Sequence, residues 1–137
     1  MADHVDPSRE RFLLFREMSS SGPIQMLNLV RLRAQAAYPD GRGVTGAEAY
    51  AAYTRESGPV FRRVGGRIAW RADFQFMLVG PEDERWDEVY TTEFPNADAF
   101  LEMLRDPVYR EAVKHRQAAV EDSRLIRLNP ADAGDPL

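Results

Sequence analysis

The chain has 137 residues, 44% hydrophobic and 29% charged, with a net charge of −4, two histidines and no cysteine. Disulfides, thiolate metal sites and cysteine nucleophiles are therefore excluded, and without a basic cluster nucleic acid is argued against as the main partner. No apolar run approaches the roughly 20 residues of a membrane span. The start, Met1 to Asp6, lacks the basic and apolar regions of a signal peptide. These features lead us to expect one cytoplasmic domain with no membrane partner.

In chain order, Asp6-Pro7 reads as the N-cap and first position of a helix carrying Phe12, Phe15 and Met18 on one side. Ser19-Ser20-Ser21-Gly22-Pro23 ends it. Residues 1–22 are thus expected to form a helical arm, 23–129 the main domain, and 130–137 a polar tail. Ile24 to Arg33 alternates Ile24, Met26, Asn28, Val30 and Leu32 against Gln25, Leu27, Leu29, Arg31 and Arg33. Both faces of that strand carry large apolar groups, as expected when both sides are covered. Ala34 to Val44 is a turn-rich loop. Thr45-Gly46-Ala47-Glu48 has capping-box spacing and opens a helix with Tyr50, Tyr53, Ser57 and Phe61 on one stripe, a kink expected at Pro59 and a left-handed cap at Gly65.

Arg67 to Val79 alternates as one strand, long enough at 13 residues to require a bulge or break near Ala72-Asp73. Trp86 to Phe94 is rich in aromatic and β-branched residues and reads as a central strand. Pro95 ends it and Asn96 caps the next helix. Asp106-Pro107 repeats that device and starts a second helical piece running to about Val120. Arg124 to Leu128 is a short last strand.

After the first helix the order is strand, helix, strand, strand, helix, strand. This is the ferredoxin-like split β-α-β arrangement, an α+β fold with an antiparallel four-stranded sheet. Right-handed crossovers put both helices on one face. The face left over carries Leu27 and Leu29 and is too apolar for water, so we expect a homodimer pairing sheets face to face.

Six pieces taken in order resemble one family: Met26-Leu27-Asn28-Leu29, Tyr50-Ala51-Ala52-Tyr53, Val64-Gly65-Gly66-Arg67, Trp86-Asp87-Glu88-Val89, Glu93-Phe94-Pro95-Asn96, and Pro107-Val108-Tyr109 through Arg116. They are similar to the domain-of-unknown-function family numbered 1330, of the dimeric α/β-barrel superfamily. The resemblance, spanning about Ile24 to Leu128, implies a ferredoxin-like protomer and a barrel-like dimer. Its relatives by fold include cofactor-independent monooxygenases, haem-degrading enzymes, dye-decolourising peroxidases and lactone isomerases, so the fold leaves the chemistry open.

Three residues are candidates for catalysis. Arg116 falls on or beside the apolar stripe of its helix, where a guanidinium needs a partner: a ligand anion, a carboxylate such as Glu93, or solvent. His115 would serve as general acid or base, or as a solvent-edge side chain, and a lone histidine builds no metal site. Glu93 is the odd charge of its strand. Asn28, Arg71, Tyr53 and Tyr90 are candidates for ligand binding, each with a structural role as its alternative. Three functions compete: a small-molecule enzyme with no organic cofactor and no metal, a binding module for an apolar or anionic metabolite, and a purely structural dimer. Convergence of Asn28, Arg71, Glu93, His115 and Arg116 on one cavity with unpaired polar atoms favours the enzyme, and Arg116 fully paired to Glu93 favours the structural dimer.

Overall fold

The computed structural model describes residues 3–18 and 21–134. The helix stop expected at Ser19-Ser20 and the last three residues of the tail lie outside them. The elements are α1 (Arg9–Glu17), β1 (Ile24–Leu32), α2 (Gly46–Arg63), β2 (Arg67–Ala72), β3 (Glu88–Phe94), α3 (Ala97–Arg105), α4 (Pro107–Ala119) and β4 (Val120–Leu128). The sheet order is β2-β3-β1-β4, every pair antiparallel. This is the ferredoxin-like α+β arrangement.

The termini of the helices follow the local chemistry of capping. Thr45 and Glu48 form a reciprocal capping box at α2. Asn96 Oδ1 accepts from Ala99 N at 2.8 Å, and Asp106 Oδ1 from Val108 N at 2.8 Å with Pro107 at the first helical position. Gly65 takes φ +92°, where a Cβ would lie 2.7 Å from Pro95 Cγ. α1 starts later than expected. Its N-cap is Ser8, whose hydroxyl accepts from Arg11 N at 3.1 Å. Asp6 is drawn instead toward Gln117 and Arg116 of α4.

The register settles which residues share a face. Ile24, Met26, Asn28 and Val30 of β1 oppose Phe94, Thr92, Tyr90 and Glu88 of β3, and all turn toward the helices. The main core is Ile24, Met26, Phe94, Val60, Val64, Ala97, Met103 and Tyr109, with Phe61, Phe94 and Phe100 in successive edge-to-face contacts at 5.6 and 5.2 Å. α1 buries no residue fully and packs Phe15 on Phe100, with the Arg127 guanidinium over the Phe15 ring.

Two segments depart from the sequence reading. The strand expected over Arg67–Val79 stops at Ala72, and its irregularity falls between Ile68 and Trp70 rather than near Ala72-Asp73. The extra residue there sends Ile68 and Trp70 to opposite faces, although alternation alone had joined them. Phe76, Leu78 and Val79 are consequently in an irregular, exposed stretch rather than in the sheet. β4 is longer than expected, because Val120 to Ser123 pair with Leu32 to Val30 instead of continuing the helix. Among the described residues, no helix is long and apolar enough to cross a membrane.

Candidate functional site

A connected cavity and groove of about 1390 Å³ lies between the inner face of the sheet, the helices and α1. Its sheet wall is Met26, Asn28, Ile68, Arg71, Glu88, Tyr90 and Thr92, and its helix wall includes Tyr50, Tyr53, Phe61, Tyr109 and Arg116. Tyr50 and Tyr53 come from one stripe of α2, Tyr109 and Arg116 from α4 two turns apart, and Tyr90 from the central strand. Tyr90 stands directly across from Asn28 on β1. The interior of the site is therefore built from the most firmly registered parts of the fold.

The four phenols form two pairs. Tyr50 and Tyr90 share a hydrogen bond, and Tyr53 and Tyr109 share another at 3.0 Å. Tyr53 bridges the pairs, with its ring 5.4 Å from that of Tyr50 and 6.1 Å from that of Tyr109. Burial pushes the hydroxyls of Tyr50, Tyr90 and Tyr109 well above the ordinary phenol value, with the neighbouring tyrosines adding to it for Tyr50 and Tyr109, and the Arg116 charge only partly opposing it. All three remain protonated donors at any physiological pH.

Arg116 is 9% exposed. One Nη donates to Val5 O at 2.6 Å and the other to Ser123 Oγ at 3.2 Å, while Ser123 Oγ donates to His4 O at 2.7 Å. Asp122 Oδ1 accepts from His4 N at 2.9 Å. Arg116 thus straps residues 4–6 onto α4 and β4, and the strap delivers α1 to the mouth of the cavity. The Asp6 carboxylate lies 4.0 Å from the guanidinium. Burial would raise the Asp122 carboxyl, but the His4 amide and the Arg124 guanidinium outweigh it and hold it below 3.8.

Five of the seven candidate residues line the cavity: Asn28, Arg71, Tyr53, Tyr90 and Arg116. Asn28 donates from Nδ2 to Met26 O at 3.0 Å and also lines the cavity. Glu93 does not come to the cavity. It is on the outer face, where it accepts from Gln25 Nε2 and Arg67, both at 2.9 Å, so it pairs neither with Arg116 nor with Arg71. Arg71 instead meets Glu88 at 3.2 Å, because the irregularity in β2 brings it opposite Tyr90. His115 also lies outside, with Nδ1 2.6 Å from Tyr38 Oη and Nε2 3.0 Å from Glu56. That chain ties loop 34–45 to two helices. Among the described residues no group of three or more His, Cys, Asp or Glu could hold a metal ion. Tyr50, Tyr109 and Glu88 were not singled out from sequence, although the α2 stripe and the parity of Glu88 with Tyr90 carried the signal for two of them.

Comparison with known proteins follows the same lines. The chain is 64% identical, over 98% of its length and 100% of the other, to the structure of methylated RPA0582 protein, with a TM-score of 0.96. A second structure of RPA0582, a protein of unknown function from Rhodopseudomonas palustris, gives 63% identity, 96% and 99% coverage and a TM-score of 0.93. SnoaB, a cofactor-independent oxygenase from Streptomyces nogalater, shares the fold at 15% identity, 85% and 100% coverage and a TM-score of 0.51. No curated protein matches the chain. The family described as domain of unknown function DUF1330 matches residues 42–127, which contain β2, β3, α3, α4 and the phenol cluster, and the chain belongs to that family.

Proposed function

We propose that the protein is a homodimer that holds a small apolar or anionic metabolite in the cavity between sheet and helices, without an organic cofactor. The observation that carries this reading is the convergence of two phenol pairs, Asn28 and Arg116 on one largely apolar cavity. A few convergent polar groups in an apolar concavity are the usual make-up of a small-molecule site. Such a site would favour catalysis by stabilising negative charge on a bound oxygen rather than by a carboxylate base, since Glu93 and His115 stand outside it. The use of the same fold by a cofactor-independent oxygenase is compatible with this reading, but a shared fold does not carry chemistry.

The alternative of a non-catalytic or purely structural dimer draws on one observation: Arg116 is already engaged by Val5 and Ser123. The two are separated by a thermal-shift panel of apolar, carboxylate and carbonyl compounds on the wild-type protein. Stabilisation by some members is expected, and a flat panel would sink the ligand reading. Dimerisation is checked separately by light scattering at micromolar concentration, where a monomeric mass would overturn it.

A further inference from the structure

The cavity's hydrogen-bond inventory does not balance. Each phenol carries one proton, and each pair uses one of its two protons internally. Two O–H donors are thus left over, one per pair. Among the described residues neither has a further acceptor: the four hydroxyls take part in no other hydrogen bond. Tyr50 and Tyr109 are 4% and 7% exposed while Tyr53 and Tyr90 are half-buried, so within each pair the hydroxyl nearer the open cavity is the one that turns its spare proton toward a ligand. Arg116 adds a positive charge and further N–H groups on the same side. The carboxylates along the cavity are engaged or peripheral. Glu88 is paired with Arg71, Asp6 lies against Arg116 and Gln117, and Asp3 is exposed on the N-terminal segment.

Once a ligand fills the cavity and displaces water, a donor left without an acceptor is costlier than an unused lone pair. An apolar ligand with acceptor oxygens would satisfy both spare protons and lie beside a cation. An amine would offer protons to oxygens that do not need them and bring its own donors toward Arg116. We propose that the buried end of this cavity is a phenolic donor site that selects apolar ring compounds bearing carbonyl or carboxylate oxygens over amines of the same size. This rests on the ligand reading above and names its chemical class.

Three bicyclic probes of similar shape test it: naphthalene, 1-naphthylamine and 1,4-naphthoquinone, each measured by equilibrium dialysis against the full chain. The absence of cysteine leaves no thiol to capture the quinone. Naphthoquinone should bind about tenfold or more tighter than naphthylamine, the scale of one or two satisfied buried hydrogen bonds. The double substitution Tyr50→Phe with Tyr90→Phe removes a donor pair while keeping its shape, so folding should survive. A single substitution would leave one O–H free and is less informative. The double variant should lose the quinone's advantage and leave naphthalene affinity within twofold. Equal affinity for all three probes would overturn the donor-site inference while preserving the cavity reading. No binding by any probe, naphthalene included, would overturn both. A quinone advantage that survives both this double variant and Tyr53→Phe with Tyr109→Phe would place the selecting group elsewhere and also defeat the inference.

Discussion

The two faces of the sheet are made from the same four strands and differ by one residue of parity, yet they present opposite chemistry. The inner face places protonated hydroxyls, an amide and a guanidinium around a cavity, and its carboxylate Glu88 is set at one end with Arg71. The outer face collects the ion pairs Glu93–Arg67, Arg31–Glu121 and Arg124–Asp122 around an apolar centre of Leu27, Leu29 and Trp70. Trp70 stands 48% exposed there and Ile126 42%. Neutral hydroxyls gather on one side and paired charges on the other, so a substitution's effect depends on which way its side chain points. We propose the inner face for a ligand and the outer face for a second copy of the chain.

The largest effect is expected from placing a charge at the centre of the outer face. In a twofold dimer Leu29→Arg acts twice, and each buried unpaired guanidinium costs about 2 kcal/mol or more. A dimer would weaken by roughly 10³-fold, read as a shift to the monomer mass by sedimentation, while the inner cavity keeps its probe affinities. A variant that stays dimeric at low micromolar concentration would show that the outer face is not the contact.

On the inner side the corresponding break is Arg116→Ala. It leaves Val5 O without its donor, removes the N–H that Ser123 accepts, and opens a void between α4 and the strap. The expected loss is about 2–3 kcal/mol, seen as a fall in Tm of roughly 6–12 °C, with faster amide exchange over residues 4–17. Unchanged exchange in that segment would mean that the strap is held by Asp122 and Ser123 alone.

How far these faces could be read from sequence follows from parity. β1 and β3 are regular, so the placement of Asn28 and Tyr90 on one face followed from alternation, as did the caps at Thr45, Asn96 and Asp106, whose side chains are local signals. The same parity puts Glu93 on the face opposite Phe94, and charge alone, which pairs it with Arg116, does not carry that information. The irregularity in β2 left no local mark in Ile68-Ala69-Trp70, and it decides that Arg71 meets Glu88 and not Glu93. The strap was illegible because the 111 positions between Val5 and Arg116 separate a carbonyl from a guanidinium, and a backbone acceptor has no sequence signature.

Asp122→Asn sharpens the comparison at the place where the faces meet, since this side chain pairs with Arg124 on the outer face and holds His4 of the strap. The amide keeps an acceptor but loses the charge, for about 1–2 kcal/mol. The pH dependence has a definite sign. The folded carboxyl lies below its ordinary 3.8, so its stabilisation is fully present above that value and is lost as pH falls through the depressed folded value. Wild-type protein should therefore lose stability below about pH 4 more steeply than Asp122→Asn. Parallel acid profiles for the two would assign the strap's hold to uncharged contacts.

The smallest effect is expected at His115, which belongs to neither face. Its ring is held between Tyr38 and Glu56 and restrains the loop from Ala34 to Val44, whose Ala36 and Ala37 amides also bond to Val44 O at 2.9 Å and Ala118 O at 2.8 Å. Replacing it by Gln forfeits one good side-chain hydrogen bond and a half-exposed pairing, for roughly 0.5–1 kcal/mol. The backbone bonds of the loop survive, so exchange at Ala36 and Ala37 should quicken by less than about tenfold while probe affinities in the cavity stay within twofold. A larger loss of affinity would couple this loop to the cavity and restore His115 to the site, through Tyr38, which packs against the cluster that holds Tyr50.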